Sequence, residues 1–440
     1  MIEIPTSWSW STIGELTQYI QRGKSPKYVE HSELPVINQK CIRWNQLQLE
    51  HLKFIHPEQF AAWDEARYIE PGDILWNSTG TGTVGRAYLV TEKDCVPPKV
   101  VDSHVTIVRP APGLDARYLY NWIKGPVVQS KIEEMCDGTT NQIELSRTAI
   151  AATRIPLAPV AEQTRIADQL DKLLARVRAC NDRLDAIPAL LKRFRQAVLA
   201  AATSGKLTDS DDLGATSGET TIGSIAVDLR YGTSKKCGYT STGTGVLRIP
   251  NIADHGRIDI GDLKRAEFDS KEIEKLALRE GDLLVIRSNG SVELVGKTSL
   301  VSTTEAGLLF AGYLMRLRVD QSRALPAFIQ LCLSAPAQRS HIERTAKSTS
   351  GVNNLNAEEL RALLLRLPSL AEQAEIVRRV DAFFKLADRI EARYKAACAQ
   401  AQRLTPLLLA KAFRGELVPQ DPDNHLANML PECINALNTP

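Results

Sequence analysis

The chain repeats itself at a spacing of 210 residues, and each copy ends in a long segment with a coiled-coil pattern. The dipeptide Glu162-Gln163 recurs as Glu372-Gln373, 210 residues later. After each dipeptide, apolar residues follow in alternating steps of four and three, the spacing of a coiled-coil seam. The first seam is Ile166, Leu170, Leu173, Val177, Cys180, Leu184, Ile187, Leu191, Phe194 and Val198, and the second is Ile376, Val380, Phe383, Ala387, Ile390, Tyr394, Ala397, Ala401, Leu404 and Leu408. This pattern predicts two matched long helices that alternate with two similar globular modules.

Each predicted helix contains one proline, Pro188 in the first and Pro406 in the second. Proline has no backbone N–H, and its ring collides with the preceding helical turn. We therefore expect a kink or a break into two helices at each position.

The repeat extends through the modules. Gly72-Asp73 matches Gly281-Asp282 at an offset of 209, whereas Gly85 matches Gly296 at 211, so the second copy carries a two-residue insertion between these points. Short apolar runs predict strands at 73–76, 87–90 and 105–108, and short helices are predicted at 118–124 and 328–333. The predicted fold is α+β, with β-rich modules at 1–157 and 222–367, helices at 158–207 and 368–418, a flexible linker at 208–221 and a tail at 419–440.

Composition limits the class of protein. The sequence has no run of about 18 apolar residues that could cross a membrane. Its first residues lack the basic and apolar segments of a secretion signal. The 8 cysteines are scattered without metal-ligand spacing, which predicts reduced thiols, no metal site and a cytoplasmic protein.

Two glycine-rich segments resemble nucleotide-binding loops. Residues 80–85 match Gly-x-Gly-x-x-Gly, and Gly296-Lys297-Thr298 matches the end of a Walker A motif. Both motifs need a helix to begin at the loop, but the sequence after each predicts a strand. We therefore interpret them as hairpin tips whose glycines allow a ligand to approach the backbone.

Basic clusters occur at the same place in both modules. They consist of Arg22, Lys24 and Lys27 in the first, and Arg230, Lys235 and Lys236 in the second. A net charge of +2 argues against binding nucleic acid by overall charge alone, but local patches of this kind can contact phosphates. The alternative is a pair of solvated loops.

Further polar side chains occur in loops that could face a nucleic acid. Asn and Gln suit adenine, and Arg and Lys suit guanine, by the geometry of their paired hydrogen bonds. The alternative for each residue is a turn that caps itself. The candidates are Asn38, Lys40, Arg43, Ser78, Thr79, Thr81, Thr83, Arg86, Thr139, Thr140 and Asn141 in the first module, and Arg248, Asn251, Arg287, Ser288, Asn289, Lys297, Ser348, Thr349 and Asn353 in the second.

The order of these motifs resembles the specificity (S) subunit of type I restriction-modification enzymes. The resemblance is carried twice, by Gly-Asp-[Ile/Leu]-Leu, by Gly-[Arg/Lys], by a Pro-containing entry to Glu-Gln, and by helix ends that read Ser-Gly-Lys-Leu (204–207) and Arg-Gly-Glu-Leu (414–417). It implies that each module is a target recognition domain for one half of a bipartite double-stranded DNA site. It further implies that the two helices pair as an antiparallel coiled coil.

The same resemblance implies the partners and cofactors. Two methyltransferase (M) subunits would dock on the helices, and restriction (R) subunits would join through them. S-adenosylmethionine would belong to the methyltransferase, and ATP and Mg to the restriction subunit, with no cofactor in this chain.

The residues themselves favour a non-catalytic role. An adenine methyltransferase of this kind carries Asn/Asp-Pro-Pro-Tyr/Phe to hold the flipped base. The chain's only Pro-Pro is Pro97-Pro98, between Val96 and Lys99. Two alternatives stay open: a self-contained DNA methyltransferase or nuclease, and a scaffold whose modules bind protein.

Overall fold

The computed structural model describes residues 2–137, 143–208, 218–252, 256–349 and 351–420, with only the backbone described at 347–349. The chain forms two compact units. Unit 1 comprises Met1–Leu184 and Ala396–Pro440, and unit 2 comprises Asp185–Lys395. Each unit therefore contains one module, the first half of one long helix and the second half of the other.

Within its described residues, the module of unit 1 contains short strands and four short α-helices. Its strands are β1 Ser9–Thr12, β2 Thr17–Arg22, β3 Tyr28–Val29, β4 Pro35–Ile37, β5 Ile42–Arg43, β6 Gln46–Leu47, β7 Lys53–Ile55, β8 Ile74–Asn77, β9 Ala87–Leu89, β10 Val100–Val101, β11 Val105–Pro110, β12 Cys136–Asp137, β13 Glu144–Leu145 and β14 Arg154–Leu157. Its helices are α1 Ala116–Lys124, α2 Pro126–Gln129, α3 Ile132–Met135 and α4 Arg147–Ala152, followed by the first long helix, α5 Val160–Thr203.

Unit 2 repeats this plan. Its strands are β15 Gly218–Thr221, β16 Ala226–Tyr231, β17 Thr244–Leu247, β18 Lys264–Ala266, β19 Leu283–Ile286, β20 Ser288–Asn289, β21 Thr298–Leu300, β22 Leu309–Phe310, β23 Leu314–Val319, β24 Lys347–Thr349, β25 Val352–Asn354 and β26 Leu364–Leu367. Its helices are α6 Ile222–Ile225, α7 Ser270–Leu276, α8 Pro326–Ser334, α9 Pro336–Thr345 and α10 Ala357–Arg361, followed by the second long helix, α11 Leu370–Ala412.

The same sheet lies at the centre of each module. Unit 1 has the order β2-β11-β8-β9 and unit 2 has β16-β23-β19-β21, with every neighbouring pair antiparallel. All four residues of β8 and of β19 are buried, as expected for an apolar run covered on both faces. The predicted strands at 73–76, 87–90 and 105–108 are confirmed as β8, β9 and β11, and the predicted helices as α1 and α8.

A second sheet in each module contains one parallel pair. In unit 1 the order is β10-β4-β7-β3, with β10 parallel to β4, and in unit 2 it is β18-β17-β22, with β17 parallel to β22. The turns at 80–85 and before Thr298 lead into strands β9 and β21 rather than into helices. They therefore lack the helix N-terminus on which a phosphate site of either motif depends.

The core of unit 1 combines the module with both long helices. Helix α1 begins at an N-cap, Asp115, whose side chain accepts bonds from two backbone N–H groups. It buries Tyr118 and Trp122, and the ring of Phe413, just beyond α11, lies 5.0 and 4.9 Å from theirs. Leu170 of α5 belongs to the same cluster. In unit 2 the corresponding cluster contains Phe328, Ile376, Val380 and Val198.

The repeated Glu-Gln dipeptide anchors the start of each long helix. Gln163 accepts a bond from the backbone N–H of Asp115, and Gln373 accepts one from Leu325, at the start of the equivalent short helix. All four residues of the two dipeptides are buried. Glu162 accepts bonds from Trp8 and Gln420, whereas Glu372 accepts one from Thr208. The repeated Glu-Gln dipeptide therefore forms buried hydrogen bonds that connect each long helix to its module.

Each long helix ends two or three residues before a glycine. Gly205 and Gly415 have φ values of +77° and +73°, a left-handed conformation that strains residues with a Cβ. The next N–H turns back, from Lys206 to the Ala201 carbonyl in one case and from Glu416 to the Lys411 carbonyl in the other. Such a glycine is a common helix stop, which explains the repeated Gly in the two helix-end motifs.

The two long helices pack against each other and run antiparallel within unit 2. Arg195 of α5 bonds Asp388 and Glu391 of α11 at 2.8 and 2.9 Å, whereas Thr208, further along the chain, bonds Glu372, nearer the start of α11. The rings of Phe194 and Phe383 lie 6.1 Å apart. The predicted antiparallel pairing is confirmed.

Several details of the helical prediction are corrected. Both helices continue through Pro188 and Pro406, so a break into two helices is excluded at either proline, and the alternative, a kink, stays a prediction. Four seam residues are exposed rather than buried, because a pair of helices covers each residue on one side only. They are Cys180, Phe383, Ile390 and Leu404.

The two ends of the predicted linker are structured. Thr208 is buried, and residues 218–221 form β15, which pairs with β26. The rest of the predicted linker, 209–217, and the tail from 421 onward lie outside the described residues. Among the described residues, no helix is both long enough and apolar enough to cross a membrane, and no cluster of side chains is arranged to hold a metal ion.

Candidate nucleic-acid interface

One edge of each module is formed by an unusually close approach of two backbone segments. A Cβ added at Gly23 would lie 2.0 Å from the Val101 carbonyl oxygen, and one added at Gly232 would lie 2.3 Å from that of Phe310. Only glycine fits at these positions. Directly after these glycines, Lys24 pairs with Asp102 in a parallel bridge and Thr233 pairs with Ala311. The two predicted basic clusters therefore lie along equivalent edges of the two modules.

In unit 2 this edge forms a groove of about 740 Å³. The groove brings together four of the predicted residues, Lys235, Lys236, Arg248 and Arg287. It also contains Lys264, Tyr231 and Tyr313, which the sequence analysis did not select. Tyr231 and Tyr313 are 41% and 63% exposed. A basic groove with exposed aromatic rings suits nucleic acid, because cations meet phosphates and rings stack on bases.

At least three of the six predicted cations in unit 2 have a carboxylate partner. Arg230 bonds Asp228 at 3.2 Å, Lys235 bonds Glu272 at 3.3 Å and Arg248 bonds Asp262 at 2.9 Å. The pairs of Lys235 and Arg248 reduce the net charge of the groove, whereas Arg230 is not among the residues that line it. Lys236 is exposed.

Two of these carboxylates remain ionised at neutral pH. Burial alone would raise the pKa of Asp228, but hydrogen bonds and positive charge from Arg316 and Arg230 place it below its ordinary value. A hydrogen bond from Tyr239, with the neighbouring Arg248, likewise lowers the pKa of Asp262. Their cationic partners thus stay neutralised across the physiological pH range.

Arg287 is held differently, by neutral groups. It donates to the Gly312 carbonyl at 3.3 Å and to Asn354 Oδ1 at 3.1 Å, and its guanidinium lies 4.4 Å from the centre of the Tyr231 ring. These partners hold the guanidinium in place and leave its charge intact.

In unit 1 the equivalent edge carries a different set of side chains. Arg22 forms an ion pair with Glu144. Lys24 donates to the Ala62 carbonyl and lies 5.7 Å from the Trp63 ring, while Lys27 is exposed. Further along the edge, Lys40 is exposed and Arg43 donates to the Ile42 carbonyl.

Three predicted contact residues prove to be structural. Asn38 is buried and donates to the His51 carbonyl at 2.6 Å. Asn251 is buried and donates to the carbonyls of Asp259 and Asp262. Ser78 is fully buried and bonds the Thr106 hydroxyl at 2.5 Å. We withdraw these three, because their polar atoms bind groups inside their own unit.

The two hairpin tips contain both engaged and accessible side chains. Thr83 donates to the Gly80 carbonyl and Thr79 bonds His104, whereas Thr81 is exposed and Arg86 half-buried. In unit 2, Asn289 accepts a bond from the Ser291 N–H and Asn353 donates to the Gly290 carbonyl. Ser288 and Lys297 are half-buried.

The remaining predicted residues are described in part or not at all. Ser348 and Thr349 belong to β24, and only their backbone is described. Thr139, Thr140 and Asn141 lie outside the described residues. Of the residues missed by the sequence analysis, Tyr231 could have been found, because it occupies the place of Arg22 in the repeat. Lys264 and Tyr313 carry no such signal.

The comparisons with known proteins agree with this duplicated architecture. The family model described as "Type I restriction modification DNA specificity domain" matches residues 5–189 and 243–397. The chain is 31% identical to the type I restriction enzyme EcoKI specificity subunit of Escherichia coli (strain K12) and 32% identical to the StySPI specificity subunit of Salmonella potsdam. Each alignment covers 95% of this chain and 91% of the relative.

A solved structure shares the fold. The HsdS subunit from Thermoanaerobacter tengcongensis superposes with a TM-score of 0.61 at 17% identity, over 94% of this chain and 98% of that chain. At this identity the likeness speaks for the fold alone. The family match covers more than half of the chain, and the identities hold over nearly its full length. The chain therefore belongs to the type I restriction-modification DNA specificity family.

Proposed function

We propose that this chain is the DNA-recognition subunit of a type I restriction-modification complex, and that unit 1 and unit 2 each read one half of a bipartite site. The observation that carries the proposal is the pair of equivalent edges with unlike side chains. Two domains of the same fold that recognise different base sequences need different contact residues, because base edges in the major groove differ in their donors and acceptors.

Phosphate contacts and base contacts divide between two kinds of residue in this proposal. The exposed lysines Lys27, Lys40 and Lys236 suit phosphates, which fix position without reading sequence. Fixed polar side chains deeper in each edge suit base edges. The half-sites differ, because Arg22 with Glu144 in unit 1 stands where Tyr231 and Asn354 stand in unit 2.

The chain itself performs no chemistry in this proposal. Two methyltransferase subunits dock on the long helices, where Phe383, Ile390 and Leu404 leave apolar surface exposed. Restriction subunits join through them. The methyltransferase brings S-adenosylmethionine, and the restriction subunit brings ATP and Mg.

An exchange of modules tests the assignment of half-sites. Residues 1–157 are replaced by the equivalent module of another family member, and a matched variant replaces residues 222–367 instead. Each variant is expressed with its methyltransferase, and the methylated positions in cellular DNA are sequenced. We expect each exchange to change one half of the recognised site and leave the other half intact. If both halves change together, the units do not read independently and the proposal fails.

The same preparation tests the absence of catalysis. The purified chain alone should transfer no methyl group to plasmid DNA containing the site, and the addition of the methyltransferase should restore transfer. Methyl transfer by the isolated chain would favour the self-contained enzyme instead.

A further inference from the structure

Arg287 occupies a position that sets it apart from the other predicted cations of its groove. It follows β19 directly, and its backbone N–H donates to the Tyr313 carbonyl while its carbonyl accepts from Leu355. The main chain is therefore held on both sides. The side chain is half-buried in the groove, between Tyr231, Gly312 and Asn354.

The hydrogen bonds of Arg287 leave a defined set of donors. A guanidinium has five N–H donors. The buried Nε has no partner within the described part of the chain, and each terminal nitrogen makes one bond, to Gly312 or to Asn354. One N–H therefore remains on each terminal nitrogen. A bidentate contact to a base uses two N–H donors, and the terminal nitrogens retain this number.

The charge of Arg287 is also preserved, in contrast to its neighbours. Lys235 and Arg248, which line the same groove, each have a carboxylate partner. The partners of Arg287 are a carbonyl, an amide and an aromatic face. A guanidinium fixed by neutral groups keeps its full attraction for an electronegative target and loses little conformational entropy when it binds.

At the equivalent place in unit 1 the backbone has the same hydrogen bonds, but different side chains occupy the positions. Ser78 stands in the position of Arg287, since its N–H donates to the His104 carbonyl and its carbonyl accepts from Leu145. Glu144 stands in the position of Asn354, because it pairs with Thr79 as Asn354 pairs with Ser288. The carboxylate that neutralises Arg22 in unit 1 is thus replaced by an amide in unit 2.

We propose that Arg287 reads a guanine in the half-site recognised by unit 2, with Asn354 and Tyr231 as positioning residues that hold its guanidinium. Guanine is the base that presents two acceptors, O6 and N7, in the major groove, and arginine matches them with two parallel N–H bonds. Lys236 and Lys264 flank the same groove and contact phosphates. This inference rests on the proposed function and adds the residue and the base to it.

The test uses the full chain in complex with its methyltransferase and duplexes in which the second half-site is randomised. The inference requires, first, that the half-site assigned to unit 2 by module exchange contains a G·C pair. Arg287→Lys keeps the positive charge but cannot form the bidentate contact. We expect the preference for guanine at one position to fall by about ten- to a hundredfold, with other positions and the first half-site unchanged.

Two matched variants separate reading from folding and from charge. Lys236→Ala should weaken binding to all sequences alike without changing any base preference. Asn354→Ala should lower the guanine preference at the same position as Arg287→Lys, and Asn354→Gln should restore part of it, which loss of folding would not produce. Thermal unfolding and unchanged recognition of the first half-site show that each variant is folded.

The possible outcomes are distinct. Uniform weakening on all duplexes by Arg287→Lys would assign the residue to a phosphate and overturn the inference. No change in preference, or a second half-site without a G·C pair, would also overturn it, while the proposed function would stand. If the unaltered complex shows no sequence preference, the proposed function fails and this inference fails with it.

Discussion

In both units an arginine of the central sheet forms a two-bond ion pair with a buried aspartate. Arg109 bonds Asp73 at 2.7 and 2.9 Å in unit 1, and Arg318 bonds Asp282 at 2.6 and 2.7 Å in unit 2. At the edge that follows Gly23 and Gly232 the side chains differ, with Arg22 and Glu144 in unit 1 and Tyr231, Arg287 and Asn354 in unit 2. The repeat thus retains the buried polar contacts, whose loss is costly, and varies the side chains at the edge.

A second difference lies where each module meets a long helix. In unit 1, Arg117 of α1 bonds Asp168 and Asp171 of α5 at 2.7 and 3.0 Å. In unit 2 the equivalent residue is Ala327, which cannot form such a bridge. The positions of Tyr120 and Lys124 are likewise taken by Gln330 and Ser334, and grooves of about 480 and 460 Å³ open between α8 and the long helices of unit 2. Module 1 thus has ion pairs to its long helix that module 2 lacks at the equivalent position, and we expect module 1 to be held more tightly.

The largest expected effect comes from breaking the shared ion pair. Asp73→Ala leaves Arg109, whose side chain is 11% exposed, without its main partner, and we expect a loss of about 3–5 kcal/mol in the stability of unit 1. Asp282→Ala should cost less, because the Arg318 side chain is 20% exposed and water can solvate it. Hydrogen exchange of the β8 and β19 amides reports each unit separately.

The control for this prediction is an exposed ion pair on α11. Asp381 and Lys385 are bonded at 2.7 Å, but both are more than half exposed. Asp381→Ala should change stability by less than about 1 kcal/mol. If Asp73→Ala reduced stability as little as this control, the buried ion pair would not be an important source of stability in unit 1.

The next effect concerns Lys124, whose place Ser334 takes in unit 2. Burial, with the nearby positive charge of Arg178, lowers the pKa of Lys124 to about 8, whereas in the unfolded chain it lies near its ordinary value of 10.5. Below pH 8 the folded protein carries the full cost of the buried charge. That cost disappears as pH rises from 8 to 10.5, because the folded state then loses a proton that the unfolded state keeps.

Replacement of Lys124 by Met should therefore stabilise unit 1 by about 1–2 kcal/mol at pH 7. The advantage over the unaltered protein should shrink between pH 8 and 10.5. Urea unfolding at several pH values, followed by Trp fluorescence, measures it. An advantage that does not depend on pH would show that better packing, and not the lysine charge, is the cause.

A smaller effect is expected where Arg117 joins α1 to α5. Arg117→Ala makes this contact resemble that of unit 2, and since the three charges are partly exposed the loss should be roughly 1 kcal/mol. Hydrogen exchange should rise at the start of α1 toward the rate at the start of α8. Ala327→Ser, a small change at the equivalent site, is the matched control. Equal exchange in α1 before and after the change would contradict the proposed difference in tightness.

The smallest effect concerns the charge of the unit 1 edge. Glu144→Asn introduces the side chain found in unit 2 and releases Arg22 from its ion pair. DNA affinity of the complex should rise a few-fold, and the plot of log affinity against log salt should steepen by about one unit, since one more cation is available to phosphates. Glu133→Gln, at an exposed carboxylate of α3, should leave the slope unchanged. An equal change in both variants would indicate a general charge effect instead of a released arginine.

The sequence alone determined the repeat, the two long helices and the order of the main strands. Heptad spacing and continuous apolar runs are local signals, because the spacing of apolar residues along the chain follows the period of the helix or strand that they form. The glycines after each helix and the Glu-Gln dipeptides were visible as repeated motifs, although their roles as a helix stop and a buried joint were not.

The tertiary structure decided which polar side chains are accessible. Asn38, Asn251 and Ser78 have the same chemistry as a base-reading residue, but they are buried, and they bond partners that lie 8 to 28 residues away along the chain. The position of the Arg287 guanidinium depends on Tyr231, Gly312 and Asn354, which are separated from it by up to 67 residues. A sequence shows which donors exist, whereas the fold determines which of them are already used, because a hydrogen bond depends on distance in space and not along the chain.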